Sequence, residues 1–200
     1  DYESAKADFD QAISMDPKNY DRLIEIYEAL AAHGYREVGQ EYLQNVLDTA
    51  KQLDAYDSGR IYYYLGEYQK AYLALDEARD KGGADSYLYL GRAYAATGDY
   101  NYASSVYNNY LSKQGPNAEI YNELGLCEMA KKEYQNALAA FQAGKQIEGN
   151  SLMQTLCFNE IVAYEYLEDY QQAEVLMNAY LQNYPDDQTA IREQQFLSTR

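Results

Sequence analysis

Chemistry in this chain has to come from few residue types. The one histidine, His33, stands beside Gly34 at an expected helix end, which suits a cap or an exposed imidazole better than a general base. Cys127 and Cys157 each sit among apolar residues on a helical pattern and read as small buried hydrophobes. With a single histidine they cannot complete a four-ligand zinc site, so no metal is expected. Gly82-Gly83 and Gly98 have neither a strand before them nor a Lys-Ser/Thr after, so no phosphate loop is expected. Carboxylate pairs are plentiful only because 32 acidic residues face 16 basic ones, a net charge of -16. These features point away from an enzyme and from a bound cofactor. What remains is recognition chemistry: 25 tyrosines with no tryptophan, together with Arg60, Arg92, Asn122 and Asn159.

The charge narrows the partners. An acidic field repels phosphates and anionic headgroups, so nucleic acid is not an expected ligand. It leaves a solvated surface and an acidic docking face as the two readings. No run approaches the roughly 18–20 apolar residues of a membrane span, and no basic stretch leads into an apolar core at the N-terminus. Direct membrane insertion by this segment is not expected; a cytoplasmic place and an anchored one at a bacterial cell envelope are both compatible.

The elements that must position these residues follow from an internal repeat. Tyr87, Leu90, Gly91, Tyr100, Ala103 and Tyr107 match Tyr121, Leu124, Gly125, Tyr134, Ala137 and Phe141, each pair 34 residues apart. The small residue of the second half marks the period along the chain: Ala5, Gly39, Ala71, Ala103, Ala137 and Ala173, at steps of 34, 32, 32, 34 and 36. Within one unit, Tyr87, Leu90, Ala93 and Tyr94 have the spacing of an amphipathic helix, Gly98 breaks it, and Asp99 is placed to cap the next. A second helix runs through Ala103, Val106, Tyr107 and Tyr110 to Gly115-Pro116. The same hinge recurs at Gly66-Glu67-Tyr68 and, in looser form, at Gly34-Tyr35, Glu133-Tyr134 and Asp169-Tyr170.

The run Tyr87-x-x-Leu90-Gly91-x-x-Tyr94 followed by Ala103-x-x-x-Tyr107 resembles the tetratricopeptide repeat. The resemblance implies an all-α, right-handed α-solenoid of about five and a half helical hairpins. Its expected repeats span 20–51, 52–83, 84–117, 118–153 and 154–187, with 1–19 as the second half of a truncated repeat and 188–200 as a capping helix or a further start. Opening in mid-repeat predicts that the natural protein continues upstream. Glu128 in place of an aromatic, Gly39 in place of alanine and Glu160-Ile161 in place of Leu-Gly depart from the pattern, at an expected cost in local packing only. Eleven tyrosines fall at packing places: Tyr2, Tyr62, Tyr68, Tyr87, Tyr94, Tyr100, Tyr107, Tyr121, Tyr134, Tyr164 and Tyr170.

In this repeat family the first helices line a concave groove that holds peptides or partner helices. By that resemblance the inward candidates are Tyr56, Asp57, Arg60, Tyr63 and Tyr64, then Leu88, Tyr89, Arg92 and Ala96. Further on come Asn122, Glu123, Leu126 and Met129, then Phe158, Asn159, Val162 and Tyr166. Aromatics would supply contact area, and Asn122 and Asn159 backbone hydrogen bonds. Arg60 and Arg92, equivalent in neighbouring repeats, would either share an anion or pair locally, Arg60 with Asp57 and Arg92 with Asp85 or Asp99. The family subtype that grips acidic chaperone tails uses Lys and Asn where this chain has Ile24, Glu28, Asp57, Asp85 and Tyr89, which argues against that ligand. The function implied is a non-catalytic scaffold for a protein or peptide; the alternatives are self-assembly, docking within a larger protein, and sensing of a signalling peptide, with oligomeric state left open.

Overall fold

The computed structural model describes residues 2–79 and 83–200; residues 1 and 80–82 and the side chain of Tyr2 lie outside the described residues, and with them the packing place expected of Tyr2 and the break at Gly82. The described residues form twelve helices and no strand, an all-α helical-repeat solenoid. They gather into two compact units, Asp1–Gly82 and Gly83–Arg200. The first holds α1 (Tyr2–Met15), α2 (Tyr20–Ala32), α3 (Arg36–Thr49), α4 (Ala55–Tyr64) and α5 (Tyr68–Ala78). The second holds α6 (Gly83–Ala96), α7 (Tyr100–Gln114), α8 (Ala118–Ala130), α9 (Tyr134–Lys145), α10 (Met153–Tyr166), α11 (Tyr170–Asn183) and α12 (Gln188–Leu197). The hairpins α2–α3, α4–α5 and α8–α9 lie inside the spans 20–51, 52–83 and 118–153, whereas α6–α7 and α10–α11 begin one residue before the spans 84–117 and 154–187, and α12 packs on α11.

Each hairpin turns the same way because each closes the same backbone bond. Five residues after its acceptor, a backbone N–H reaches back to a carbonyl: Tyr35 to Leu30, Glu67 to Tyr62, Asp99 to Tyr94, Glu133 to Glu128 and Asp169 to Tyr164, at 2.8–3.0 Å. That closure needs a left-handed residue just before the donor. Gly34, Gly66 and Gly98 supply it with φ of 86°, 78° and 86°, whereas Lys132 (64°) and Glu168 (61°) adopt it with a side chain attached. A side chain there costs about 1–2 kcal/mol, partly offset by the entropy glycine brings to the unfolded chain. Lys132→Gly and Glu168→Gly should therefore each raise stability by up to about 1 kcal/mol, read as a higher urea midpoint. The next helix is capped where the sequence has Asp: the Tyr102 amide donates to Asp99 Oδ1 at 3.0 Å and the Gln172 amide to Asp169 Oδ1 at 3.1 Å.

The hairpins close on a volume exchange between two positions sixteen residues apart. A Cβ on Gly91 would stand 2.3 Å from the ring of Tyr107, one on Gly125 2.3 Å from the ring of Phe141, and one on Gly59 2.5 Å from Leu75 Cγ. The first helix gives up its side chain so that a large residue of the second can press against its backbone. In the last hairpin the pair is Ile161 and Met177, both buried in one cluster, with the branched side chain now on the first helix and the pliable one on the second. In the first hairpin Tyr27 takes the glycine place, and Gly39 yields instead: its Cβ would lie 2.9 Å from Tyr27 Cδ2. Gly39 and Ile161 are therefore matched to their neighbours, a correction to the packing cost expected of them. Of the eleven tyrosines assigned to packing places, Tyr87 and Tyr107 are fully buried; the other described ones keep part of their surface, while Tyr27 and Tyr180, outside that set, are buried.

Candidate functional site

Side chains tie consecutive first helices together within each unit. In the first unit the Arg60 guanidinium on α4 donates to Asp21 of α2 and to Asp57, both at 2.5 Å, and lies 4.3 Å over the ring of Tyr56. One turn on, the Tyr64 hydroxyl donates to Glu28 of α2 at 2.6 Å, while Tyr63 packs on Tyr64 and Tyr68 with centroids 5.3 and 5.8 Å apart. In the second unit Arg92 of α6 reaches Glu119 at 2.9 Å and Glu123 at 2.7 Å, both on α8. The Asn159 amide of α10 donates to Asn122 Oδ1 of α8 at 2.9 Å. At the next step Gln154 of α10 and Tyr180 both donate to Asp187, the cap of α12.

The structure thus brings most of the sequence-derived candidates onto the first helices and gives them partners within the chain. Arg60 has the Asp57 partner that the local reading named. Arg92 does not use Asp85 or Asp99: its long side chain crosses to the next first helix, where two carboxylates meet it. Each guanidinium is engaged by two acids, so neither stands as a vacant anion receptor. Asn122 is buried, held by Asn159. Leu126 (43% exposed) and Tyr166 (57%) present large apolar surface beside these ties, and Tyr166 stacks on Tyr134 with centroids 5.0 Å apart. Phe158 and Asn159 line a cleft of about 290 Å³ with Gln154, Tyr180 and Asp187.

The acid lining continues to the end of the row. Glu165 of α10 faces Glu193 of α12, and its Oε1 is buried without a hydrogen-bond partner. Burial first, and then the Glu193 carboxylate, push the Glu165 pKa up to about 7. Because the folded value lies above the unfolded one, folding holds this proton, and stability falls as pH rises from about 4.5 through 7. Glu165→Gln should raise the melting temperature at pH 8 and leave it unchanged at pH 4; equal shifts at both pH values would refute this.

Two of the departures from the repeat pattern have roles that the sequence reading did not assign. Glu128 and Glu160 are buried carboxylates, 6% and 5% exposed. Glu128 Oε1 accepts from Ser104 Oγ at 2.8 Å and pairs with Lys131 Nζ at 2.7 Å. Glu160 accepts from Gln142 at 2.9 Å and pairs with Lys145. The expectation that they only weaken packing is corrected: each has an ammonium and a neutral donor in place. The lysine three residues after Glu128 was a visible signal for the first pair, and nothing local announced the second. Cys127 is buried and Cys157 half-buried, both free, and burial pushes the Cys127 thiol up to about 12 and the Cys157 thiol upward too. His33 caps α2, its Nδ1 2.9 Å from the Ala29 carbonyl. Among the described residues no cluster of three or more His, Cys, Asp or Glu could hold a metal ion, and no helix is long and apolar enough to cross a membrane.

A family model of the tetratricopeptide repeat matches residues 56–103 and 90–150. The chain is similar to TTC0263, a tetratricopeptide-repeat protein of Thermus thermophilus, at 16% identity and a TM-score of 0.68, over 90% of this chain and 100% of that one. It is also similar to YrrB, a tetratricopeptide-repeat protein described as having an unusual peptide-binding site, at 18% identity and a TM-score of 0.61, over 94% and 97% of the two chains. The second tetratricopeptide domain of human RPAP3, solved with the HSP70 peptide SGPTIEEVD, matches at 17% identity and a TM-score of 0.53, over 59% of this chain and 97% of that one. A search of curated proteins finds no match. At these identities the solved structures share the fold.

Proposed function

Because the chain belongs to the tetratricopeptide-repeat family, a protein-interaction fold, we propose that it is a non-catalytic scaffold whose first-helix groove holds an extended peptide or a partner helix. The observation that carries this reading is the pairing of exposed apolar side chains, Leu126 and Tyr166, with adjacent amides and carboxylates already fixed by cross-helix bonds. A ligand would find contact area beside pre-ordered polar groups, which lowers the entropy cost of binding. Tyr89 and Phe158 add aromatic surface in the second unit, as Tyr56, Tyr63 and Tyr64 do separately in the first. Arg60 and Arg92 act as struts that hold carboxylates in place, and the ligand they favour is neutral or basic. RPAP3 and YrrB lend support as relatives in fold with a peptide or a peptide-binding site; an acidic segment such as the HSP70 peptide would meet Glu119 and Glu123 here.

A random peptide library panned on the whole chain tests this. Recovered peptides should be rich in Lys or Arg and aromatic residues, and should lose at least tenfold in affinity to Leu126→Arg, a change at a surface position that leaves melting intact. Peptides indifferent to that substitution, or no enrichment at all, would overturn the groove.

A further inference from the structure

The repeat's own register points to a second site, between α9, α10 and α11. Counting 34 and then 36 residues on, Tyr87 corresponds to Tyr121 and then to Cys157, so the last hairpin carries a thiol where the two before it carry a phenol. In the first of those hairpins the ring of Tyr87 packs edge-on against Tyr110, centroids 5.3 Å apart. Tyr180 occupies the place of Tyr110 in the last hairpin, buried and packed against Tyr184 at 4.8 Å and Phe158 at 5.8 Å, with no ring arriving from position 157. Here a cavity of about 320 Å³ lies between Cys157, Tyr180, Tyr184, Leu176 and Met153, at the lower end of the range for small-ligand sites. Met153 and Ala179 at its rim are exposed, so it opens to solvent.

One wall is polar. The Lys145–Glu160 pair borders the same space. Glu160 accepts one bond at each oxygen, from Gln142 and from Lys145, and each oxygen keeps a lone pair. Lys145 donates to Glu160, which leaves it further N–H groups. A hydroxyl arriving there would find both an acceptor and a donor. We propose that this cavity is a binding site for a phenol-sized aromatic ring brought by a second molecule, its face between Cys157 and the Tyr180–Tyr184 pair and its hydroxyl on the Lys145–Glu160 pair.

The test is titration of p-cresol into the isotopically labelled chain, following the methyl signals of Met153, Ile161 and Leu176. Saturable shifts at those methyls are expected, at least fivefold tighter than with toluene. Cys157→Tyr supplies the ring from within: it should abolish the shifts and raise the melting temperature by several degrees. Should that variant not fold, Ala179→Phe closes the mouth from α11 and must abolish the shifts in its turn. N-acetyl-tyrosinamide moving the same methyls would assign the ring to a partner's side chain, and p-cresol binding alone would assign it to a free small phenol. No shift up to the solubility of p-cresol, no preference over toluene, or shifts that persist in a filled variant would overturn the proposal. Leu126→Arg should leave p-cresol binding untouched, which separates this site from the groove.

Discussion

Gly125→Ala is expected to destabilise the second unit by about 3 kcal/mol, the upper end of what overpacking a core costs. A single methyl has this effect because the added Cβ would stand 2.3 Å from Phe141 Cε1 and 2.6 Å from Cδ1, and Phe141 is itself fully buried with nowhere to swing. The cost should be conditional on that ring. In Phe141→Leu the cavity left behind costs about 2–3 kcal/mol alone, but Gly125→Ala added to it should cost little, so that a double-mutant cycle gives about 1–3 kcal/mol of favourable coupling. The last hairpin displays the compensated arrangement in Ile161 with Met177. Urea denaturation of the four proteins is the measurement; a Gly125→Ala variant within about 0.5 kcal/mol of the parent would mean that α8 and α9 separate freely, and the account of this glycine would fail.

The same pair shows what the sequence could and could not disclose. The period, the helix spacing and the hinge glycines are local or recur at a fixed offset, so the hairpins and the Asp caps are legible in the residues alone. The exchange of volume at sixteen-residue separation is also present there, as Gly59/Leu75, Gly91/Tyr107 and Gly125/Phe141, but only the close approach of backbone to ring reveals that the two positions touch. The polar partners of the candidate residues were less legible than the helices that carry them. Arg92 lies on a first helix, but its partners are 27 and 31 residues further on, outside any helical-turn rule, and are neither a shared anion nor the Asp85 or Asp99 that the sequence offered. Glu128 and Glu160 were illegible for a different reason: a carboxylate at a core position looks like a defect until its ammonium, supplied in the second case from another helix, is found beside it.

Lys145→Met is expected to cost about 3–5 kcal/mol, since it keeps the aliphatic stem and strands a carboxylate that is 5% exposed. The Gln142 amide would still donate to Glu160, but a neutral donor does not replace the ammonium. Glu160 occupies the place that Leu90 and Leu124 hold in the two preceding hairpins, so Glu160→Leu on the Lys145→Met background restores an apolar wall of the repeat's own kind. The double variant should recover to within about 1 kcal/mol of the parent or exceed it, because a well-packed apolar pair usually matches a buried ion pair. A single variant that loses less than about 1 kcal/mol would show that water reaches the carboxylate. With that outcome the pair is not required for the fold, and its use has to be sought in what it borders. In the double variant the cavity beside Cys157 keeps its aromatic and thioether walls and loses its polar one, so p-cresol should then bind no better than toluene.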